Sequence, residues 1–210
     1  AQDPVREVSL MTQFLNSLTR LSAPFVFEVA VHGAGDDIHF YIAAPRDSAP
    51  FVTRSIQGIW SDAEVLEAPE YSIFNTQGAA DGVYLRQKRS YLLPIKTFRE
   101  LGVDTFAPLL NAFSKLHTTE EGMAIQLVVQ TSHPSLAKQG ADGIVALRKG
   151  VPLKEALGSE VGFFSLLSSL FVGSKKEASD TPPAPVVVDE YAVKALEQKI
   201  SQPLFSANIR

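Results

Sequence analysis

Apolar residues recur at spacings of three and four near the start of the chain. Val8, Met11, Phe14, Leu15, Leu18 and Leu21 form one stripe, which predicts an amphipathic helix over residues 5–21, closed by Pro24. The period then switches to two. Phe25, Phe27, Val29 and Val31 alternate with other residues and predict a strand with one apolar face. His32-Gly33-Ala34-Gly35-Asp36-Asp37 is a turn rich in residues that tolerate positive φ, and Ile38 to Ala44 is the return strand of a hairpin. Pro45 stops that strand. Phe51, Val52, Ile56, Ile59 and Trp60 place a helix over 48–60.

Further along, Asp62 to Leu66 reads as a short third strand and 67–82 as a loop. Val83 to Ile95 reads as a long strand. Asp104 is positioned to cap a helix over 105–117, with Pro108 in its first turn. Met123 to Thr131 is a strongly apolar strand. A helix follows Pro134 to about Lys149, with a break expected near Gly140 or Gly143. Residues 153–173 read as a helical segment, 174–189 as a linker rich in charge, Ser and Pro, Glu190 to Ile200 as a helix, and Leu204 to Arg210 as a strand.

The expected fold is α+β: a two-layer sandwich of helices on a mostly antiparallel sheet, in a ferredoxin-like or permuted arrangement. The expected division is a module over 5–150, an apolar helical segment over 151–173, a linker over 174–189, and the start of a second α+β module over 190–210. Ser22-Ala23-Pro24-Phe25 and Ser201-Gln202-Pro203-Leu204 form a short echo of helix, Ser-x-Pro and strand. On that reading the chain stops just inside a second copy.

Composition narrows the chemistry. The chain is 45% apolar and 20% charged, within the globular range, with a net charge of −4, so no global field draws in nucleic acid or an anionic membrane. It has no cysteine, which excludes disulfides, thiolate metal sites and cysteine nucleophiles. No basic region followed by an apolar run opens the chain, and no stretch reaches the roughly 18–20 apolar residues of a membrane span. A P-loop needs Gly-x-x-x-x-Gly-Lys-Ser/Thr, and no such string occurs; nor does Gly-x-Ser-x-Gly. No enzymatic activity and no cofactor are expected of this chain.

Three groups of residues remain as candidate contacts. His32 and His39 flank the hairpin turn beside Asp36 and Asp37, where a metal would need all of them converging; a polar turn facing water explains the same residues. Arg86, Lys88 and Arg89, with Tyr84 and Tyr91, form a basic-aromatic segment suited to phosphates and stacked bases, or to keeping an edge strand soluble. In Val161 to Phe171 the large apolar side chains, Phe163, Phe164, Leu167, Leu170 and Phe171 among them, exceed one narrow stripe. That predicts packing against protein, within the chain or on a second subunit, rather than on a membrane surface, which would call for basic flanks.

The stretch FVFEVAVHGAGDDIHFYIAAP followed by QGIWSDAEV resembles the N-terminal non-catalytic region of bacterial conjugative-transfer or type IV secretion ATPases of the HerA/FtsK-like superfamily. YSIFNTQGAADGVYL, EGMAIQLVVQ and KISQPLFSANIR extend the likeness over most of the chain, with 151–190 the poorest match. Similar sequences usually carry a proline before the Asp-Ala pair, where this chain has Ser61. The resemblance implies an accessory or assembly domain acting through protein contacts, in a cytoplasmic setting and plausibly at the cytoplasmic face of the inner membrane, with any motor downstream. The competing expectation is a stand-alone binding module, for nucleic acid through Arg86, Lys88 and Arg89.

Overall fold

The computed structural model describes residues 4–33, 37–68, 72–74, 77–102, 106–117, 120–158 and 188–210. Val161 to Phe171, including Phe163, Phe164, Leu167, Leu170 and Phe171, lies outside the described residues, as does the expected linker up to Val187.

The described chain is α+β and divides into two compact units: residues 1–86, 96–132 and 205–210 form one, residues 87–95 and 133–204 the other. The first unit carries a four-stranded, wholly antiparallel sheet. Its strands are β1 (Phe25–Val31), β2 (His39–Ala43), β3 (Met123–Thr131) and β4 (Phe205–Ile209), in the order β2-β1-β3-β4. Helices α1 (Pro4–Leu18) and α2 (Ala49–Ile59) cover one face.

Sequence explains that layer directly. Period-2 placement puts Phe25 and Phe27 on the same face, opposite Val129 and Leu127 of β3, and Ile42 beside Phe27. Phe14 and Leu18 from α1 and Val52 from α2 close over them, with Trp60 packed alongside. Phe14 meets Phe27 and Trp60 edge-on, with ring centroids 6.0 and 5.6 Å apart. Full burial of each such side chain contributes on the order of 1.5–3 kcal/mol. Helix α1 stops at Leu18, earlier than its stripe suggests, because Leu21 turns back and donates its N–H to the Leu18 carbonyl. Pro45 opens a 3₁₀ turn at Arg46–Ser48, and Pro50 in the first turn of α2 fixes its entry.

The strand–strand–helix–strand order holds, but its third strand is β3. Residues 62–66 form no strand: Ala63 bonds back to the Trp60 carbonyl in a turn, and the segment then runs on without a ladder partner among the described residues. The expected strand Val83 to Ile95 is also absent. Only Leu85 bridges to Ile209, after which the chain turns at Ser90 to bury Leu92 in the second unit. Helices α3 (Phe98–Leu101) and α4 (Ala107–Phe113) follow, the latter with Pro108 in its first turn, as expected. Phe205–Ile209, expected to open a second module, instead completes this sheet beside β3. The Ser-x-Pro echo therefore marks the entries to β1 and β4, the two strands flanking β3, and Phe25 and Phe205 meet edge-on at 6.2 Å.

The described part of the second unit is helical apart from the 87–95 turn. It holds α5 (Ser135–Arg148), α6 (Leu153–Ala156) and α7 (Glu190–Ile200) around Ile144, Leu147, Leu157, Val193 and Leu196. The break expected near Gly140 or Gly143 does not occur; α5 runs through both. These glycines are there for close packing. A Cβ at Gly140 would lie 2.6 Å from Ile200 Cγ2, and one at Gly143 would lie 2.7 Å from Leu157 Cδ2. Helix α5 ends one turn later in a Schellman arrangement: Gly150 at φ 80° donates to Leu147, and Val151 donates to Ala146. Asp189, expected in the linker, instead caps α7 by accepting the Ala192 N–H at 3.0 Å.

Candidate functional site

The second face of the sheet carries the concentration of polar side chains. Register aligns one residue from each strand in a row: Tyr41 of β2 opposite Glu28 of β1, Glu28 opposite Gln126 of β3, and Gln126 paired with Arg210 just beyond β4. Gln126 and Arg210 exchange both backbone hydrogen bonds, at 2.7 and 2.9 Å. Their side chains continue the row. Arg210 Nε donates to Gln126 Oε1 at 2.7 Å, and Gln126 Nε2 donates to Glu28 Oε2. Glu28 is only 8% exposed, yet its carboxylate is satisfied by a neighbour that is itself held by a guanidinium.

Beyond this row the face splits. Toward the hairpin, His32 lies against the Tyr41 hydroxyl, Nε2 to Oη 3.0 Å, and its ring centroid is 5.4 Å from that of His39. Ala30, paired with His39, is fully buried. Toward the other end, Asn208 sits opposite Val128, and Gln130 opposite Ser206; Gln130, Ser206, Asn208 and Arg210 are exposed. The apolar cluster that α1 and α2 cover includes none of these residues. One face packs against α1 and α2; the other mixes this polar row with apolar positions, and Glu28 and Ala30 on it are buried.

The residues singled out from sequence are placed as follows. His32 and His39 do come together, but Asp36 lies outside the described residues and Asp37 is exposed. Among the described residues no group of three or more His, Cys, Asp or Glu is arranged to hold a metal. Arg86, Lys88 and Arg89 are all exposed, on irregular chain rather than on the expected strand. Arg86 belongs to the sheet-bearing unit; Lys88 and Arg89 belong to the helical one. Glu28, Tyr41, Gln126, Asn208 and Arg210 were not singled out. Their signal was present, since the alternation that gives Phe25, Phe27, Val29 and Val31 one face leaves Glu28 on the other, and Gln126 and Gln130 recur at period two in β3.

Phe40 of edge strand β2 is 73% exposed, although it shares the face that carries Phe27 and Ile42. In the helical unit, Lys199 Nζ donates to the carbonyls of Tyr91 and Leu93, at 2.5 and 3.1 Å, tying the 87–95 turn to α7. Burial pushes its ammonium below the ordinary lysine value. Among the described residues no helix is long and apolar enough to cross a membrane.

Comparison with protein-family models, with curated proteins and with solved structures finds no match to this chain.

Proposed function

We propose that this chain is a non-catalytic accessory module that assembles with protein subunits of a type IV secretion or conjugative-transfer ATPase, at the cytoplasmic face of the inner membrane. The proposal starts from the likeness of residues 25–67 to the N-terminal region of those ATPases. The structured part of that stretch is β1, β2 and α2, elements that supply core and turn positions. The observation that carries the assembly role is strand β2. Among the described residues it is an edge of the sheet, and such an edge is a template for a partner's strand. Phe40 beside that edge is exposed on the face whose other aromatics are packed, so a partner strand there would find both backbone groups and an apolar anchor.

The test is genetic and biochemical. A Walker motif in the same reading frame is expected beyond Arg210, and deletion of residues 1–210 is expected to abolish assembly of the motor while leaving its basal ATP hydrolysis intact. Phe40→Glu should weaken assembly without unfolding the sheet. A stop codon after Arg210, or a motor that assembles unchanged without this region, would overturn the reading.

A further inference from the structure

We infer that His32, His39 and Tyr41 form a binding site for one borderline divalent transition ion of the Zn²⁺ class. The inference does not rest on the assembly role. Distances bring the three side chains together. His32 Nε2 lies 3.0 Å from Tyr41 Oη. The ring centroid of His32 is 5.4 Å from that of His39 and 6.2 Å from that of Tyr41, and the rings of His39 and Tyr41 are 6.0 Å apart. Register gives the two β2 members one side of the strand, with His39 opposite Ala30 and Tyr41 opposite Glu28 of β1. His32, the residue after β1, closes the triangle. His39 is exposed, and His32 and Tyr41 are half-buried, so an ion reaches the group from solvent.

These spacings fit three ligands around one tetrahedral ion. Bonds of about 2.0–2.1 Å at a tetrahedral angle hold two donor atoms about 3.3 Å apart and place two imidazole centroids about 5.2 Å apart. A phenolate bent at its oxygen puts its ring about 6 Å from each imidazole. Against these stand the 3.0 Å donor separation and the centroid distances of 5.4, 6.2 and 6.0 Å. The His32–Tyr41 pair needs to open by only about 0.3 Å. His39, being exposed, has room to turn a ring nitrogen toward that pair. The ion takes the place of the proton that His32 and Tyr41 share, and that proton leaves to solvent. Two imidazoles and a phenolate suit zinc and its neighbours rather than Mg²⁺ or Ca²⁺, which need oxygen ligands throughout. Water fills the fourth position. Glu28, opposite Tyr41, already takes a hydrogen bond from Gln126 and is not one of the ligands. The bound ion pins edge strand β2 to the end of β1.

Isothermal titration of the full chain, free of any affinity tag, with Zn²⁺ at mildly alkaline pH tests this. Saturable binding of about one ion per chain is expected, with about one proton released per ion, read from the dependence of the heat on the buffer's ionisation enthalpy. Excess Mg²⁺ should not compete. Loss of an outer-shell partner of a metal already costs about 10–100-fold, so His32→Ala and His39→Ala should each weaken binding at least tenfold. Tyr41→Phe should weaken it roughly tenfold and abolish the proton release. His117→Ala with His133→Ala should leave both unchanged. Trp60 emission and far-UV circular dichroism matching the wild type confirm that these variants fold. On the unsubstituted chain, Zn²⁺ should shift the imidazole NMR signals of His32 and His39 and leave those of His117 and His133 in place, a readout that needs no variant. Absence of saturable binding overturns the inference. So does binding that survives His32→Ala with His39→Ala, which makes the ion adventitious. A Tyr41→Phe chain that binds Zn²⁺ and releases protons as the wild type does also overturns it, since the phenol is then not a ligand.

Discussion

Gly143→Ala tests a close helix packing among the described residues. The new methyl would sit 2.7 Å from Leu157 Cδ2 and 3.4 Å from the Ala156 carbonyl. Carbon atoms in ordinary contact stay about 3.5–4.0 Å apart, so the shortfall to Leu157 is roughly 1 Å. Leu157 is 5% exposed within the cluster of Ile144, Leu147 and Leu196, and its methyl has little room to retreat. Overpacking of this size costs about 1–3 kcal/mol. Removing a helix-interior glycine returns up to about 1 kcal/mol of propensity. The net expectation is a loss on the order of 1 kcal/mol.

Gly58→Ala is the internal control. It lies in α2 with nothing within 4 Å of the added Cβ, so the propensity gain stands unopposed. The two variants should therefore move stability in opposite directions. The single tryptophan, Trp60, packs in the core of the sheet-bearing unit and reports Gly58→Ala by fluorescence during urea denaturation. Amide exchange across α5 and α7 reports Gly143→Ala, which should accelerate there by roughly fivefold for 1 kcal/mol. A Gly143→Ala chain at least as protected as wild type would show that the α5–α6 crossing is looser than its geometry gives.

Other outcomes follow from single contacts. Phe14→Ala removes a ring that is 1% exposed and touches Phe27 and Trp60; it should cost about 3–5 kcal/mol and red-shift Trp60 emission, and a loss under about 1 kcal/mol would contradict that packing. Gln126→Leu leaves buried Glu28 without its donor and should cost about 1–3 kcal/mol by urea denaturation, against little change for Gln130→Leu at an exposed position. Lys199 has its folded pKa below the ordinary 10.5, so the folded state disfavours its charge; that penalty is complete at low pH and is relieved as pH rises through the folded value toward 10.5. Wild type should accordingly gain stability relative to Lys199→Met over that rise, and a pH-independent difference between the two would contradict the burial.

The segments legible in sequence share a physical character. β1, β3 and α7 begin and end where their patterns place them, because each buries a face whose period leaves no alternative: Phe25 and Phe27, Leu127 and Val129, Val193 and Leu196. The misread segments follow local alternation that tertiary structure does not use. Val83, Tyr84 and Leu85 alternate like a strand, yet the edge of β4 accepts only Leu85, and Leu92 a few residues on is drawn into a helical core instead. Gly140 and Gly143 look like helix breakers when the helix is considered alone. They become necessary only once Ile200 and Leu157 stand against them. Propensity describes one element, and close approach belongs to two.

The polar face shows the same limit from the other side. Sequence reading seeks groups adjacent in the chain, such as Arg86, Lys88 and Arg89, or His32 with Asp36 and Asp37. A sheet instead assembles its surface by register. Glu28, Tyr41, Gln126 and Arg210 are far apart in sequence and become one hydrogen-bonded row because β1 pairs with both β2 and β3, and β3 with β4. A slip of one residue in any of those pairings would send that strand's member of the row into the layer filled by Phe14, Phe25 and Val52. The aromatic core therefore fixes the polar row. Its burial holds the register, and the register brings Tyr41, Glu28, Gln126 and Arg210 to one side of the sheet, with no motif to announce them.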